Sequence, residues 1–175
     1  NARPEQVKEI FKRTIDTGIQ HGTVTVMIDK AGYEVTTYRI DGEYEDGRHP
    51  KSVEFSSELV EDLKRRDFTI NAMAFSLQKE DFGALVDPFG GIRDLAAGII
   101  RTPLDPDTTY SDDPLRMVRA VRFATKLSTP ELTFTIVPES LDSIRRNRNR
   151  MEILSKERIV EELNKILVTP KPSIG

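Results

Sequence analysis

The chain has 175 residues, of which 37% are hydrophobic and 31% are charged, and its formal net charge is −3. This length predicts one sizeable domain or two small ones, and no apolar run approaches membrane-spanning length. Cysteine is absent and only 2 histidines occur, which excludes disulfides, thiolate metal sites and a histidine-rich metal centre. Any metal would need carboxylate ligands, which suit Mg²⁺ or Mn²⁺, and the composition favours a cytoplasmic protein.

The first part of the chain mixes short helical and extended patterns. A helix is predicted at 4–13 because Val7, Ile10 and Phe11 share one face. The other elements predicted up to residue 110 are, in chain order, strands at 23–28 and 33–40 that pair antiparallel across a tight turn, a helix at 57–66, a short strand at 82–88, a short helix at 92–97 and a strand at 99–102.

A long polar segment, DGEYEDGRHPKS at 41–52, interrupts this pattern. It is too long for a minimal turn, and loops of this size in compact domains are often functional. Two interpretations are therefore equally open: a solvated excursion of the chain, or a mobile loop that belongs to an active site.

After Tyr110 the pattern becomes helical. Asp112, Asp113 and Pro114 are typical of a helix start, and apolar residues follow at helical spacing. Two more helices are predicted at 140–147 and 156–167, the second with one apolar stripe formed by Ile159, Val160, Leu163, Ile166 and Leu167. Arginines cluster at 116–122 and 145–150, where they could follow a phosphate backbone, although a solvated helix end explains the second cluster equally well.

Several motifs follow one another in a characteristic order. They are TGIQHGTVTV at 17–26 with YEVTT at 33–37, RRDFTINA at 65–72, DPFGGIRDL at 87–95, and DDPLR at 112–116 continuing into RAVRFA at 119–124. In this order they resemble the motifs of the class II, or bacterial-type, tRNA nucleotidyltransferase and poly(A) polymerase family. Any one motif alone is weak, but four in register are highly specific, and the resemblance covers nearly the whole chain.

The resemblance implies an α+β fold, with a nucleotidyltransferase palm, or head, at 1–110 and a helical neck at 111–175. It implies transfer of CMP and AMP from CTP and ATP to the 3′ end of tRNA, without a nucleic-acid template and with Mg²⁺ or Mn²⁺. Poly(A) addition to RNA 3′ ends shares every motif present here and stays an alternative. A non-catalytic nucleotide- or RNA-binding fragment is the alternative from another class.

The chain departs from the family pattern in one respect that concerns catalysis. The family's Gly-Gly-x-x-Arg stretch and the Asp-x-Asp pair that holds two metal ions do not occur in the required position, and the RNA-binding body and tail are absent. The chain therefore resembles a truncated enzyme and is expected to be inactive alone. Asp105-Pro106-Asp107 spells the Asp-x-Asp pattern, but we interpret it as a helix-capping or turn sequence.

The resemblance assigns three groups of residues to the first half of the site. Glu34 falls at the family's third catalytic, metal-binding carboxylate, although an outward-facing strand residue would look the same. Arg66 is expected to reach phosphate, while Asp67 and Asn71, four apart and so on one face of a helix, are expected to bind a ribose hydroxyl. A satisfied core amide is the alternative for Asn71.

Asp113 and Arg116 form the pair that is expected to select the base. At a spacing of three on a helix they point to one side, and a carboxylate only accepts hydrogen bonds whereas a guanidinium only donates them. Cytosine and adenine offer an exocyclic amine beside an unprotonated ring nitrogen, and uracil and guanine offer the reverse. A surface ion pair is the alternative, and Asp112 is expected to orient Arg116.

The remaining assignments concern basic and glycine-rich segments. Arg119 and Arg122 continue the spacing of three and are expected to meet the triphosphate, with a solvated basic helix face as the alternative. By resemblance, the loop at 41–52 helps the enzyme change from C to A addition, with Arg48 and His49 at its basic tip. We expect Gly90 and Gly91 to be structural and Asp94 to cap a short helix.

Overall fold

The structure, a computed structural model, describes residues 1–41 and 53–175. The expected flexible-loop residues Arg48 and His49, and nearly all of the 41–52 segment, lie outside the described residues. The described residues form two compact units, one of 1–41 with 53–62 and the other of 63–175. Both helices and small sheets are present, which confirms the predicted α+β class. In the part of the chain that is described, every helix is too short or too polar to cross a membrane.

The elements are numbered in chain order. The helices are α1 (Pro4–Ile10), α2 (Leu59–Lys64), α3 (Gly91–Ala97), α4 (Pro106–Asp112), α5 (Leu115–Leu127), α6 (Pro138–Asn147) and α7 (Lys156–Leu167). The strands are β1 (Thr14–Gly18), β2 (Thr23–Ile28), β3 (Ala31–Thr36), β4 (Arg39–Asp41), β5 (Val53–Phe55), β6 (Ala74–Phe75), β7 (Leu85–Val86), β8 (Ile99–Ile100) and β9 (Thr135–Ile136). Short 3₁₀ turns lie at Ile19–His21, Thr69–Asn71, Arg148–Ile153 and Pro172–Ile174.

The first unit is built on an antiparallel sheet with the strand order β1-β2-β3. Valines alternate with threonines along β2, so Val24 and Val26 are buried on one face and pack with Val7 of α1. The predicted strand at 23–28 is thus confirmed. The helix predicted at 4–13 ends at Ile10, and Phe11 is extended, so Phe11 does not share a helix face with Val7 and Ile10 as expected. Ile10 is 70% exposed at the end of the helix.

The second unit is built around α5. Residues at helical spacing on α5, Met117, Ala120 and Ala124, are buried and form a core with aromatic side chains that include Phe68 and Tyr110. The strands β8 and β9 pair in parallel beside this core. The predicted helix at 156–167 is confirmed as α7, but its apolar stripe is only partly covered, since Ile166 is buried and Leu167 is 67% exposed.

The glycine pair at the start of α3 sets how closely this helix approaches the preceding segment. Gly90 has a φ of +74°, and a Cβ on Gly91 would lie 2.3 Å from the carbonyl oxygen of Thr69. Both glycines are therefore structural, as expected. The prediction for Asp94 was wrong: the carboxylate that caps α3 belongs to Asp87, which accepts from the N–H groups of residues 91 and 92 at 2.6 and 3.0 Å.

Asp94 is instead a buried acceptor inside α3. Its Oδ2 accepts from Thr69 Oγ1 at 2.8 Å and from Arg101 Nε at 3.1 Å. The helix-cap interpretation of Asp105 is confirmed, because its Oδ2 accepts from the N–H of Thr108 at 2.9 Å at the start of α4. The boundary expected near residue 110 stays a prediction, and the compact units divide between residues 62 and 63.

Candidate functional site

A basic cleft of about 550 Å³ lies within the second unit. Its walls come from the segment that follows α2, from α5, from Asp113 in the break before α5, and from the first turn of α7. Its lining residues are Arg65, Arg66, Asp67, Asn71, Asp113, Leu115, Arg116, Arg119, Phe123 and Arg158, and we call it the arginine cleft. Among the described residues, five arginines and two aspartates line it, so it suits an anionic ligand although the chain carries a net charge of −3.

Asp67 accepts four hydrogen bonds on the wall of the cleft. Its Oδ1 accepts from the N–H of Phe68 at 2.9 Å and from Asn71 Nδ2 at 3.0 Å. Its Oδ2 accepts from Arg119 Nε at 2.8 Å and from Arg119 Nη2 at 2.5 Å. Asp67 and Asn71 do come together, as their spacing predicted. The expected helix is wrong, since a 3₁₀ turn at Thr69–Asn71 brings them together.

The pair expected to select the base also lies in this cleft. Asp113 sits in the break between α4 and α5, where its Oδ1 accepts from the N–H of Leu115 at 3.1 Å. Arg116, on the first turn of α5, donates from Nη2 to the carbonyl oxygen of Arg65 at 2.9 Å. The helix predicted to start at Asp112–Pro114 begins at Leu115. Asp113 is extended and lies outside α5, so the expected helical spacing of Asp113 and Arg116 was wrong, although both side chains line the cleft.

Burial controls the protonation chemistry of Asp113. Desolvation raises the pKa of its carboxyl above the ordinary value, and the charges of Arg116, Arg158 and Arg119 oppose that shift. The nearest ion-pair partner is Arg158, whose Nη2 lies 3.6 Å from Asp113 Oδ1. A desolvated carboxylate of this kind gains from any further donor that enters the cleft.

Arg122 is placed differently from its neighbours on α5. It is buried, and its Nε donates to Oε2 of Glu162 on α7 at 2.5 Å, while Lys165 Nζ donates to Oε1 of the same carboxylate at 2.9 Å. The Arg122 guanidinium stacks over the ring of Phe123 at 4.2 Å. Arg122 is not among the described residues that line the cleft. Because it is buried, the alternative of a solvated basic helix face does not hold for Arg122 either. A role in binding nucleotide stays a prediction, and it would require Arg122 to leave Glu162.

Glu34 lies in the first unit, on β3, opposite Thr25 of β2. The predicted strand position is confirmed, and the side chain is exposed on a face with threonines, where Thr17 and Thr25 share a hydrogen bond of 2.9 Å. Within residues 1–41 and 53–175, no group of three or more His, Asp or Glu residues could hold a metal ion. The described residues alone therefore do not form a two-metal centre.

Sequence reasoning missed four lining residues: Arg65, Leu115, Phe123 and Arg158. Arg65 and Phe123 stood inside recognised motifs without a stated role. Arg158 comes from a distant helix and reaches the cleft only because α7 packs on α5, and no local pattern encodes that contact. Asp112 ends α4, half-buried, and is not among the described residues that line the cleft.

Comparison with known proteins gives matches over both halves of the chain. A family model described as the poly A polymerase head domain matches residues 1–101, and one described as the probable RNA and SrmB-binding site of polymerase A matches 133–175. The CCA-adding enzyme of Ligilactobacillus salivarius is 43% identical over 175 residues, which are 100% of this chain and 41% of the relative. That of Geobacillus stearothermophilus is 44% identical over 170 residues, 97% of this chain and 40% of the relative.

Solved structures agree with these matches. The Bacillus stearothermophilus CCA-adding enzyme in complex with CTP superposes with a TM-score of 0.83 at 40% identity, covering 97% of this chain and 38% of that chain. The Thermotoga maritima CCA-adding enzyme complexed with tRNA gives a TM-score of 0.74 at 29% identity, covering 97% and 36%. The chain spans about two fifths of the length of the curated relatives it matches. Because the head-domain model alone matches more than half of the chain, the chain belongs to the poly A polymerase head domain family, and the family resemblance of its motifs is confirmed.

Proposed function

We propose that the protein containing this chain adds CMP and AMP from CTP and ATP to the 3′ end of tRNA, without a nucleic-acid template. The chain supplies the nucleotide-binding cleft of that enzyme. The observation that carries the proposal is that Asp113 and Arg116 both line a cleft that is rich in arginines. The relatives described as CCA-adding enzymes, and their structures with CTP and tRNA, support it.

Base selection follows from the hydrogen-bonding character of the pair. Asp113 accepts from the exocyclic amine of cytosine or adenine, and Arg116 donates to the adjacent ring nitrogen. Arg116 has five N–H groups and gives one to the carbonyl oxygen of Arg65, so donors remain while the guanidinium is held. Uracil and guanine would set acceptor against acceptor and donor against donor. Each unpaired buried polar edge costs about 1–3 kcal/mol.

The triphosphate is the part of the nucleotide that the basic side chains bind. Arg66 is exposed in the cleft, and Arg119 keeps three N–H groups after its contact with Asp67. Guanidinium groups bind phosphate oxygens in bidentate fashion, which favours arginine over lysine here. Asn71, on the same wall, supplies a polar group to the ribose.

The described residues do not supply the carboxylate ligands that two catalytic metal ions would need. Glu34 is a single carboxylate, and two-metal phosphoryl transfer needs several. Mg²⁺ or Mn²⁺ therefore stays an expectation from the family, and we assign no step to it. For the same reason we expect the 175-residue chain alone to bind nucleotide without transferring it. The cytoplasmic location also stays a prediction.

One experiment separates tRNA repair from poly(A) synthesis. The longer protein that contains this chain is incubated with labelled CTP and ATP and either a tRNA that lacks its terminal CCA or an oligo(A) primer. We expect CMP and then AMP to be added to the tRNA only, with a defined end. Long runs of AMP on either primer, without CMP, would establish the poly(A) alternative. Incorporation of nucleotide by the 175-residue chain alone would contradict our expectation that this chain, with Glu34 as a single carboxylate, does not catalyse transfer.

A further inference from the structure

The carboxylate of Asp67 has no room for a ligand. A carboxylate offers about four lone-pair positions, and Asp67 receives four donors: the N–H of Phe68, Asn71 Nδ2, and two N–H groups of Arg119. The residue is also buried. A ribose hydroxyl could reach this carboxylate only by displacing a donor that is already in place, and two of the four donors are charged.

We propose that Asp67 is a positioning residue, which acts on the bound nucleotide through Arg119 and Asn71 and does not bind the ribose itself. This inference rests on the proposed nucleotide-binding function of the arginine cleft. It reassigns the ribose contact to Asn71 and makes Asp67 the residue that prepares a phosphate contact at Arg119.

The first effect of Asp67 concerns the Arg119 guanidinium. Two of its five N–H groups are anchored on one oxygen of Asp67, and the ring of Phe123 lies 5.5 Å from the guanidinium carbon. The three remaining N–H groups belong to a planar fork that the anchor holds in one orientation. Because the Arg119 guanidinium is already ordered in the free protein, it loses less side-chain entropy when a phosphate binds.

The second effect of Asp67 concerns the amide of Asn71. Because Nδ2 donates to Asp67, the carbonyl oxygen of the amide cannot face the carboxylate, where two acceptors would oppose each other. Asn71 lines the cleft, and none of the described residues donates to that oxygen, so it remains an acceptor for a ligand. The 2′-hydroxyl of a ribose can donate a hydrogen bond to this oxygen. A 2′-deoxyribose lacks that hydroxyl and cannot make the contact.

The experiment measures binding to the full 175-residue chain by titration calorimetry. Three probes are used: CTP, 2′-deoxy-CTP, and inorganic tripolyphosphate, which has no ribose. The variants are Asp67→Asn and, as a matched control, Asp142→Asn, which removes the same charge from an exposed aspartate paired with Arg145. Thermal melts establish that each variant is folded at the temperature of the titration.

Tripolyphosphate separates the two roles of Asp67 by the sign of the effect. If Asp67 only bound the ribose, Asp67→Asn would leave tripolyphosphate binding unchanged or make it tighter, because the variant removes a negative charge from the cleft. If Asp67 positions Arg119, Asp67→Asn instead weakens tripolyphosphate binding by about threefold or more, and the preference for CTP over 2′-deoxy-CTP falls towards 1. Asp142→Asn leaves both values near those of the unaltered chain.

A mutant cycle then measures whether the effect of Asp67 on CTP affinity depends on Arg119 and Asn71. In an Arg119→Gln/Asn71→Ala background, adding Asp67→Asn should change CTP affinity by less than twofold, because both residues through which Asp67 acts are gone. Tripolyphosphate affinity that stays the same or rises in Asp67→Asn, or full additivity in the cycle, would overturn the inference. If Asp67→Asn does not fold, Asp67→Glu serves instead, because glutamate keeps the charge but its longer side chain cannot hold Arg119 and Asn71 in the same geometry. Asp67→Glu should then weaken tripolyphosphate binding although the charge of the cleft is unchanged, whereas a residue that only binds ribose would leave that binding unaltered. Failure of the unaltered chain to bind CTP would overturn the proposed function itself.

Discussion

Replacing Arg122 with methionine tests whether α5 and α7 are held together by a buried ion pair. Arg122→Met keeps most of the length of the side chain but removes its charge from beside Glu162, whose side chain is only 4% exposed. Breaking a buried pair by removing one partner costs about 3–5 kcal/mol, because the other charge is left without compensation. Lys165 still lies 2.9 Å from Glu162, so we expect the lower end of this range.

The predicted loss can be measured as a shift in melting temperature. For a chain of this size, each kcal/mol lowers the midpoint by roughly 2–4 °C, so Arg122→Met should melt at least about 6 °C lower at pH 7. The double variant Arg122→Met/Glu162→Met is the control, and it should recover most of the loss because neither charge remains. A midpoint within 2 °C of the unaltered chain would refute the reasoning. Loss of CTP binding in folded Arg122→Met would restore the nucleotide role that the motif implied.

Three further predictions concern pH dependence and packing. Burial alone would raise the pKa of Glu162, but the hydrogen bond from Lys165 and the charge and hydrogen bond of Arg122 hold it below its ordinary value of 4.5. Its stabilising contribution is therefore present above about pH 4.5 and lost as the pH falls through the lowered pKa, so melts from pH 6 to pH 3 should fall less steeply in Glu162→Gln. Burial raises the pKa of Asp113, with Arg116 opposing, so its ionised form is costly at neutral pH. Asp113→Asn should melt at or above the unaltered chain at pH 7, and this difference should shrink as the pH falls through the raised pKa. Gly91→Ala should lose about 1–3 kcal/mol in denaturant titrations, because its Cβ would lie 2.3 Å from the backbone of Thr69. Gly18→Ala should lose less, because a Cβ there would find its nearest atom, on Thr23, at an ordinary contact distance of 3.5 Å. Equal losses at the two glycines would contradict the packing argument.

Elements with a strong local pattern could be predicted from the sequence. The alternation along β2 and the helical spacing along α7 define those elements without help from the rest of the chain. β1 was missed because TIDTG has no alternation of apolar residues, and α4 was missed because PDTTYSD has no apolar stripe. Both elements exist through contacts with their neighbours: pairing with β2 in one case, packing on α5 and α6 in the other.

The residues that line the cleft could be predicted only in part, and the contacts among them could not. Asp112 and Arg122 were expected in the site but are not among its described lining residues, and four lining residues had no assigned role. The residues assigned from the motifs that do line one cleft include Asp67, Asn71, Asp113, Arg116 and Arg119. The helical spacing expected for Asp67 with Asn71, and for Asp113 with Arg116, was not the reason, because neither pair lies on one helix. No local pattern indicated that Asp67 would hold Arg119 from a distant part of the chain, or that Asp113 would face Arg158. The first contact depends on how α5 packs on the segment that follows α2, and the second depends on how α7 packs on α5. A pattern in neighbouring residues of the sequence does not predict such long-range packing.

The preference for CTP over UTP in variants of Asp113 and Arg116 tests the central claim most directly. Dissociation constants for both nucleotides are measured with the unaltered chain, with Asp113→Ala and Arg116→Ala, and with Arg145→Ala, an exposed arginine that is not among the described lining residues of the cleft. Each variant of the pair leaves a polar edge unpaired, at a cost of about 1–3 kcal/mol, so the CTP preference should fall roughly 5- to 150-fold while Arg145→Ala retains it. A CTP preference that stays at the unaltered value in both folded variants would contradict the claim that these two side chains select the base.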